Sequence, residues 1–189
     1  IDGGMAWSVD QALDRARRFE RFALHWLEEP LLPYDPAAYA ALRQAAAIPI
    51  AGGEMATGAA ELRRLIKAGA VDVLQIDIAR IGLTEGIQLA RLAAEHGIAI
   101  VNHTYSHILN TAASLQLMAA APHIGLFETP AGRNEIRDAL AGGQLRPEAG
   151  WIEVPSGPGL GVSIDEEVLR RFRLDRVAPA SGGSRSAMR

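Results

Sequence analysis

Two patterns of apolar spacing take turns along the first 130 positions. Short apolar runs at 24–28, 50–52, 71–76 and 98–101 read as strands, the last continuous enough to be buried on both faces. Between them, the stretches 9–22, 36–46, 58–67, 83–96 and 108–120 repeat apolar residues every three to four positions and read as helices. Val9, Leu13, Ala16, Phe19 and Phe22 face inward on the first helix, Tyr39 and Leu42 on the second, and Leu62, Leu65 and Ile66 on the third. Ser8 or Asp10 can cap the first helix, Pro36 suits a first helical turn, and Gly69, Gly97 and Pro122 supply stops. Ile1-Asp2 reads as the end of a strand whose body is absent, and 125–128 as a short strand ending in Glu128. Strand then helix, five times over, followed by a final strand, is the alternation of a parallel sheet with crossover helices. The repeat of about 25 residues fits a (β/α) barrel better than an open sheet, in which functional groups gather at one switch point.

Beyond Glu128 the alternation stops. We therefore expect a partial barrel over 1–130 and a C-terminal tail with a terminal helix over 131–177. The tail carries a short helix at 133–140, a short strand at 151–154 and a helix at 165–172 with Val168, Leu169 and Phe172 inward. Residues 178–189, rich in Ser, Gly and Arg, read as a disordered tail.

Composition narrows the chemistry. The 189 residues are 49% hydrophobic and 22% charged, ordinary for a globular domain with a real core. A formal charge of −3 points to neither nucleic acid nor an acidic membrane, and the arginines at 15–21 and 170–176 read as solvated helix faces. Without cysteine there is no disulfide, zinc–thiolate site or thiol nucleophile. No apolar run reaches the roughly 18–20 residues of a membrane span. With no signal peptide at its start, the chain is expected to be cytoplasmic. The glycines at 157–161 are no phosphate loop, because no helix follows them directly.

The strands end in acids. Trp26-Leu27-Glu28-Glu29-Pro30 brings two adjacent carboxylates to a proline stop. Side chains alternate along a strand, so Glu28, not Glu29, shares a face with Trp26. Glu29 reads as a solvated or salt-bridged neighbour, with a swap of roles with Glu28 as the alternative. Asp2 lies 26 residues before Glu28, Glu54 lies 26 after it, and Asp77 follows 23 later. Each interval is about one strand, one crossover helix and two loops. A single strand-end acid is more often a cap than a ligand. Asp2, Glu28 and Glu54 together form a three-carboxylate cup, an all-oxygen set suited to Mg²⁺ before Mn²⁺ or Ca²⁺. His103 comes just past the run at 98–101, opposite Asp77. His107 reads as helix-start polarity and His96 as a partner of helix C-terminal carbonyls. His25 and His123 read as loop residues, and Trp7, Tyr34 and Tyr105 as candidates for the mouth of the barrel.

This acid ladder, with Gly52-Gly53-Glu54, Gln75-Ile76-Asp77, Asn102-His103-Thr104 and the closing Pro158-Gly159-Leu160-Gly161-Val162, resembles the enolase superfamily, and within it the mandelate racemase subgroup that includes many acid-sugar dehydratases. The resemblance covers roughly residues 1–175. It implies a TIM-type barrel of which this chain holds the third to eighth strands, preceded in family members by two further strands and an N-terminal capping domain. It implies Asp2, Glu28 and Glu54 as Mg²⁺ ligands, His103 as general base with Asp77 as its dyad partner, and Glu128 as hydrogen-bond donor to the developing enolate. Asn102 and Tyr105 are the expected substrate contacts. The chain departs from the family pattern at Gly4, where an Asn is usual, and after Ile81, where Gly82 stands without a second glycine.

The implied reaction is Mg²⁺-dependent dehydration of an aldonate or aldarate by α-proton abstraction through an enediolate. Racemisation or epimerisation of a related carboxylate is the alternative in the same class. A truncated barrel with a binding or assembly role is the alternative in another. A small carboxylate substrate is expected, and a homo-oligomer, because lone sheet edges call for a partner.

Overall fold

The computed structural model describes residues 1–33, 35–122 and 124–174. The expectations for Tyr34, for His123 and for the tail at 178–189 lie outside these residues. Four strands, β1 (Leu27–Glu28), β2 (Ile50–Gly52), β3 (Val73–Ile76) and β4 (Ala99–Asn102), form one parallel sheet in sequence order. An isolated parallel bridge from Asp2 to Glu28 extends the sheet beyond β1. The helices are α1 (Val9–Phe19), α2 (Pro36–Ala45), α3 (Ala59–Lys67), the single turn α4 (Ile78–Ile81), α5 (Leu83–Glu95), α6 (Ile108–Ala120), α7 (Glu135–Leu140) and α8 (Glu166–Arg171).

Local chemistry sets the boundaries. Ser8 caps α1 in a reciprocal box with Gln11, and Asp35 accepts from the N–H groups of Ala37 and Ala38 at the start of α2. The helix expected over 9–22 breaks at Glu20 into a 3₁₀ turn, and Ala23 at φ 48° reverses the chain. Phe22 is consequently 57% exposed, not inward. That reversal also delays strand pairing, so β1 begins at Leu27 rather than at position 24.

The sheet has two unlike faces. Leu27, Ile50, Leu74, Ile76 and Ile100 pack outward against the helices in the main core, with Tyr39, Leu42, Leu62, Ile66 and Leu89. Full burial of each such side chain contributes about 1.5–3 kcal/mol. The alternate residues Ala51, Val73 and Val101 form a smaller inner cluster with Trp26 and Ile124. This inner face carries Glu28, Asp77 and His103 at its C-terminal end.

The eighth-strand segment at 125–128 does not form a strand. Ile124 N–H donates to Ile100 O at 3.4 Å, and among the described residues the Asn102 side chain holds the segment at Glu128. In the tail, α7 and α8 close a second apolar cluster with α6. Val168 joins it, but Leu169 is 51% exposed, because a two-turn helix buries only one stripe. The strand expected at 151–154 reduces to a single bridge between Trp151 and Glu148.

Candidate active site

Register brings the imidazole and its partner together. Ile76 pairs with Asn102, and the N–H of His103 donates to Ile76 O at 3.0 Å, so the next residue on each strand shares the inner face. His103 Nδ1 lies 2.9 Å from Asp77 Oδ2. The N-cap of α4 is Asp77 itself: its Oδ1 accepts from Ala79 N–H at 2.9 Å and from Asn110 Nδ2 at 3.0 Å. Asn110 was not singled out by the sequence reading. It is a buried polar residue in the first turn of the apolar helix α6, and its Oδ1 also accepts from Ala79 N–H. Burial opposes charge on Asp77, but the hydrogen bonds from His103, Ala79 and Asn110 outweigh it and hold this carboxyl below its ordinary value. Burial likewise opposes protonation of His103; the hydrogen bond to Asp77 and the charges of Glu54, Glu128 and Asp77 prevail and raise its pKa.

With Nδ1 committed to Asp77, Nε2 is the nitrogen turned toward the neighbouring strand end. It faces Glu54 Oε2 at 3.7 Å. Glu54 follows Gly53, whose φ of 122° and the turn bond from Ala56 N–H to Gly53 O redirect the chain past the end of β2. Burial is the main cause raising Glu54 to about 7; His103 opposes it, and Glu29, Glu28 and a hydrogen bond with Glu28 add to it. Glu28 accepts from Trp26 Nε1 at 2.9 Å, on the face that strand alternation assigned it.

Glu29 departs from expectation. It is 2% exposed, neither solvated nor in an ion pair among the described residues. Its Oε1 accepts from Gly53 N–H at 3.3 Å, and its Oε2 meets no donor among the described residues. Burial raises its pKa against the Gly53 and Met55 N–H groups, with Glu28 and Asp2 adding to the rise.

Asp2 stands apart from the pair Glu28–Glu54. Its exposed carboxylate accepts from Gly4 N–H at 2.7 Å, the geometry of an Asx turn. Among the described residues, no three His, Cys, Asp or Glu side chains are gathered closely enough to hold one ion. The expected three-acid cup is therefore not gathered: Glu28 and Glu54 form a pair, and Asp2 lies on the adjoining strand end, linked to Glu28 by a backbone bridge. The donor chemistry suits a hard divalent cation. Glu28 and Glu54 meet from neighbouring strand ends, Glu54 is raised chiefly by burial with Glu29 and Glu28 adding to it, and a buried oxygen of Glu29 beside them meets no donor among the described residues.

Glu128 reaches the site from the far edge of β4. Burial raises its pKa, opposed by Thr104 N–H and His103. Thr104 N–H donates to its Oε2 at 3.0 Å. Asn102, expected as a substrate contact, is 1% exposed and spends its amide on Glu128: Nδ2 donates to Glu128 O and Oδ1 accepts from Glu128 N–H, both at 2.9 Å. Strand alternation turns it away from the face of His103. Tyr105 is 74% exposed, its ring stacked on His103 with centroids 6.4 Å apart. Trp7 packs against the main core instead, under the guanidinium of Arg15. His107 caps α6 through Nδ1, and His96 Nδ1 meets Leu92 O at 2.9 Å.

A parallel β/α sheet with an acid ladder and a His–Asp pair at its C-terminal end defines a class of strand-end, carboxylate-lined sites. The family described as Enolase C-terminal domain-like matches residues 1–168, and the chain belongs to it. The D-galactarolactone cycloisomerase of Agrobacterium fabrum is 36% identical over 183 residues, covering 92% of this chain and 48% of that protein. The L-talarate/galactarate dehydratase of Salmonella typhimurium is 32% identical over 175 residues, covering 92% of this chain and 42% of that protein. A racemase from Streptomyces coelicolor, solved with bound magnesium, superposes with a TM-score of 0.78 at 28% identity, covering 90% of this chain and 45% of that one. The chain thus spans about half the length of the relatives it matches. Among the described residues, no helix is long and apolar enough to cross a membrane.

Proposed function

We propose that this chain carries the proton-transfer centre of a Mg²⁺-dependent acid-sugar dehydratase acting on an aldonate or aldarate. The observation that carries the proposal is the His103–Asp77 pair at 2.9 Å, with Nε2 turned toward Glu54 and the carboxylates of the neighbouring strand ends. The likeness to a talarate/galactarate dehydratase supports the substrate class.

Asp2, Glu28 and Glu54 would hold the cation, and Asp2 would leave its turn to join the pair. The bound ion supplies Lewis-acid stabilisation of the substrate carboxylate. His103 Nε2 takes the α-proton. Asp77 fixes the imidazole with its proton on Nδ1 and stabilises the charged form once the proton has moved. Glu128, raised by burial, is set to donate a hydrogen bond to oxygen charge developing on the substrate. The protonated imidazole then stands where it can return that proton to a leaving β-hydroxyl, which departs as water.

Incubation with Mg²⁺ and a panel of aldonates and aldarates in D₂O tests this reading. Exchange of the α-proton and formation of a 2-keto-3-deoxy acid are expected for at least one member. No exchange with any member would overturn it. The likeness to a cycloisomerase and a racemase favours a second reading, in which the same abstraction is not followed by loss of water. Exchange without a 2-keto-3-deoxy product would decide for it.

A further inference from the structure

We propose that Asn102 and Thr104 are positioning residues that clamp Glu128 opposite His103, their side chains doing what a strand ladder would otherwise do. The inference rests on the catalytic reading above and deepens it. In a parallel sheet, an arriving strand is held by backbone N–H and C=O groups of its neighbour. The segment bearing Glu128 starts in that way at Ile124, whose N–H donates to Ile100 O, and among the described residues it is held at Glu128 by side-chain bonds. At the level of Glu128 the partner is the Asn102 carboxamide, a side-chain copy of a peptide group. It satisfies both the N–H and the C=O of Glu128, each at 2.9 Å.

Thr104 completes the hold. Its hydroxyl donates to Glu128 O, its own N–H donates to the Glu128 carboxylate at 3.0 Å, and its Oγ1 accepts from Asn102 Nδ2 at 3.2 Å. Both residues are buried, so an unmade hydrogen bond here would leave a polar group stranded without water. Alternation along the chain puts Asn102 and Thr104 on one side and His103 on the other. One tripeptide therefore fixes two groups at once: the imidazole through its own backbone, and the acid through the flanking side chains. A purely structural tether would need only the backbone bonds. The additional contact of Thr104 N–H with the Glu128 carboxylate sets the reactive end of that side chain.

Thr104→Val keeps the shape and removes the hydroxyl, Thr104→Ser restores it, and Asn102→Asp removes the amide donor. Two readouts are compared. In amide hydrogen exchange, Thr104→Val and Asn102→Asp should accelerate the segment 124–128 about tenfold or more, with α3 unchanged and Thr104→Ser close to the parent. In turnover, kcat should fall about 10- to 100-fold with KM within about twofold, because a misplaced Glu128 costs the transition state rather than the bound substrate, and Thr104→Ser should recover most of it. Unchanged exchange at 124–128 in both disruptive variants would overturn the clamp. Faster exchange with unchanged kcat would overturn its link to catalysis. Should the parent protein turn over no substrate, the dehydratase reading fails, and the exchange measurement still decides the clamp. If Asn102→Asp does not fold, Thr104→Val carries both readouts.

Discussion

His103 and Asp77 are each shaped by what the other supplies. Replacing His103 with Asn removes the proposed proton acceptor without emptying its half-buried place. Activity is expected to fall about 10²- to 10⁴-fold, the usual worth of a general base, with the circular dichroism spectrum unchanged. Asp77→Asn tests the partner. The His103 pKa is raised by Asp77 among other groups, and a base must be neutral to act, so the parent rate should climb as pH rises through the His103 pKa. In Asp77→Asn that limb should move to lower pH while the plateau drops; an unmoved limb would remove Asp77 from the role of electrostatic partner. Both residues were legible in the sequence, because each directly follows an apolar strand and parallel register does the rest. Glu29 was legible but misread. Glu29 follows the last residue of β1 at a φ of 29°, where its carboxylate turns to Gly53 N–H and is buried beside Tyr39. The Asn102–Glu128 contact was not legible, since a side chain meeting a backbone 26 residues away leaves no local pattern.

At the scale of elements, capping and strand-to-turn junctions place the chemistry. The first turn of α6 delivers Asn110 to both Asp77 and Ala79, joining that helix to the end of β3. Asn110→Ala should cost about 1–3 kcal/mol by leaving buried groups unpaired, read as a lower midpoint in urea unfolding. The signal was present in the sequence as polar Asn110, Thr111 and Ser114 within an apolar helix, but its meaning depends on what that helix packs against. Gly53 is the junction that turns Glu54 into the site. A Cβ there would lie 2.9 Å from Leu62 and 3.1 Å from Gln75 O, at a φ of 122° that other residues rarely adopt. Gly53→Ala should therefore destabilise by more than about 1 kcal/mol in thermal unfolding, and an unshifted midpoint would contradict that account. Helix starts were read to within a residue or two at Val9, Pro36 and Ile108, where Ser8, Asp35 and His107 stand as caps. The end of α1 was missed near Ala23, whose left-handed backbone has no signature in an alanine.

For the molecule as a whole, the balance of charge at the sheet end couples stability to pH and to metal. Glu54 is raised above its unfolded value of 4.5 to about 7, and His103 is raised above 6.5. Both therefore contribute stability that is fully present below their unfolded values and is lost as pH rises through their folded ones. Asp77 is depressed, so its contribution is present above 3.8 and lost as pH falls through its lower folded value. The metal-free protein should accordingly lose thermal stability as pH rises through about 7, and Mg²⁺ should offset the loss by binding the deprotonated acids. A metal-free midpoint that rises through this range would reverse the sign of the account.

The strand-end carboxylates can be put to the test most directly by calorimetric titration of Mg²⁺ near neutral pH into the parent protein and its Glu54→Gln variant. The account predicts one ion per chain in the parent, bound with release of protons, and affinity at least about tenfold weaker without that carboxylate. Equal affinity in the two proteins, or no binding in the parent, would contradict it.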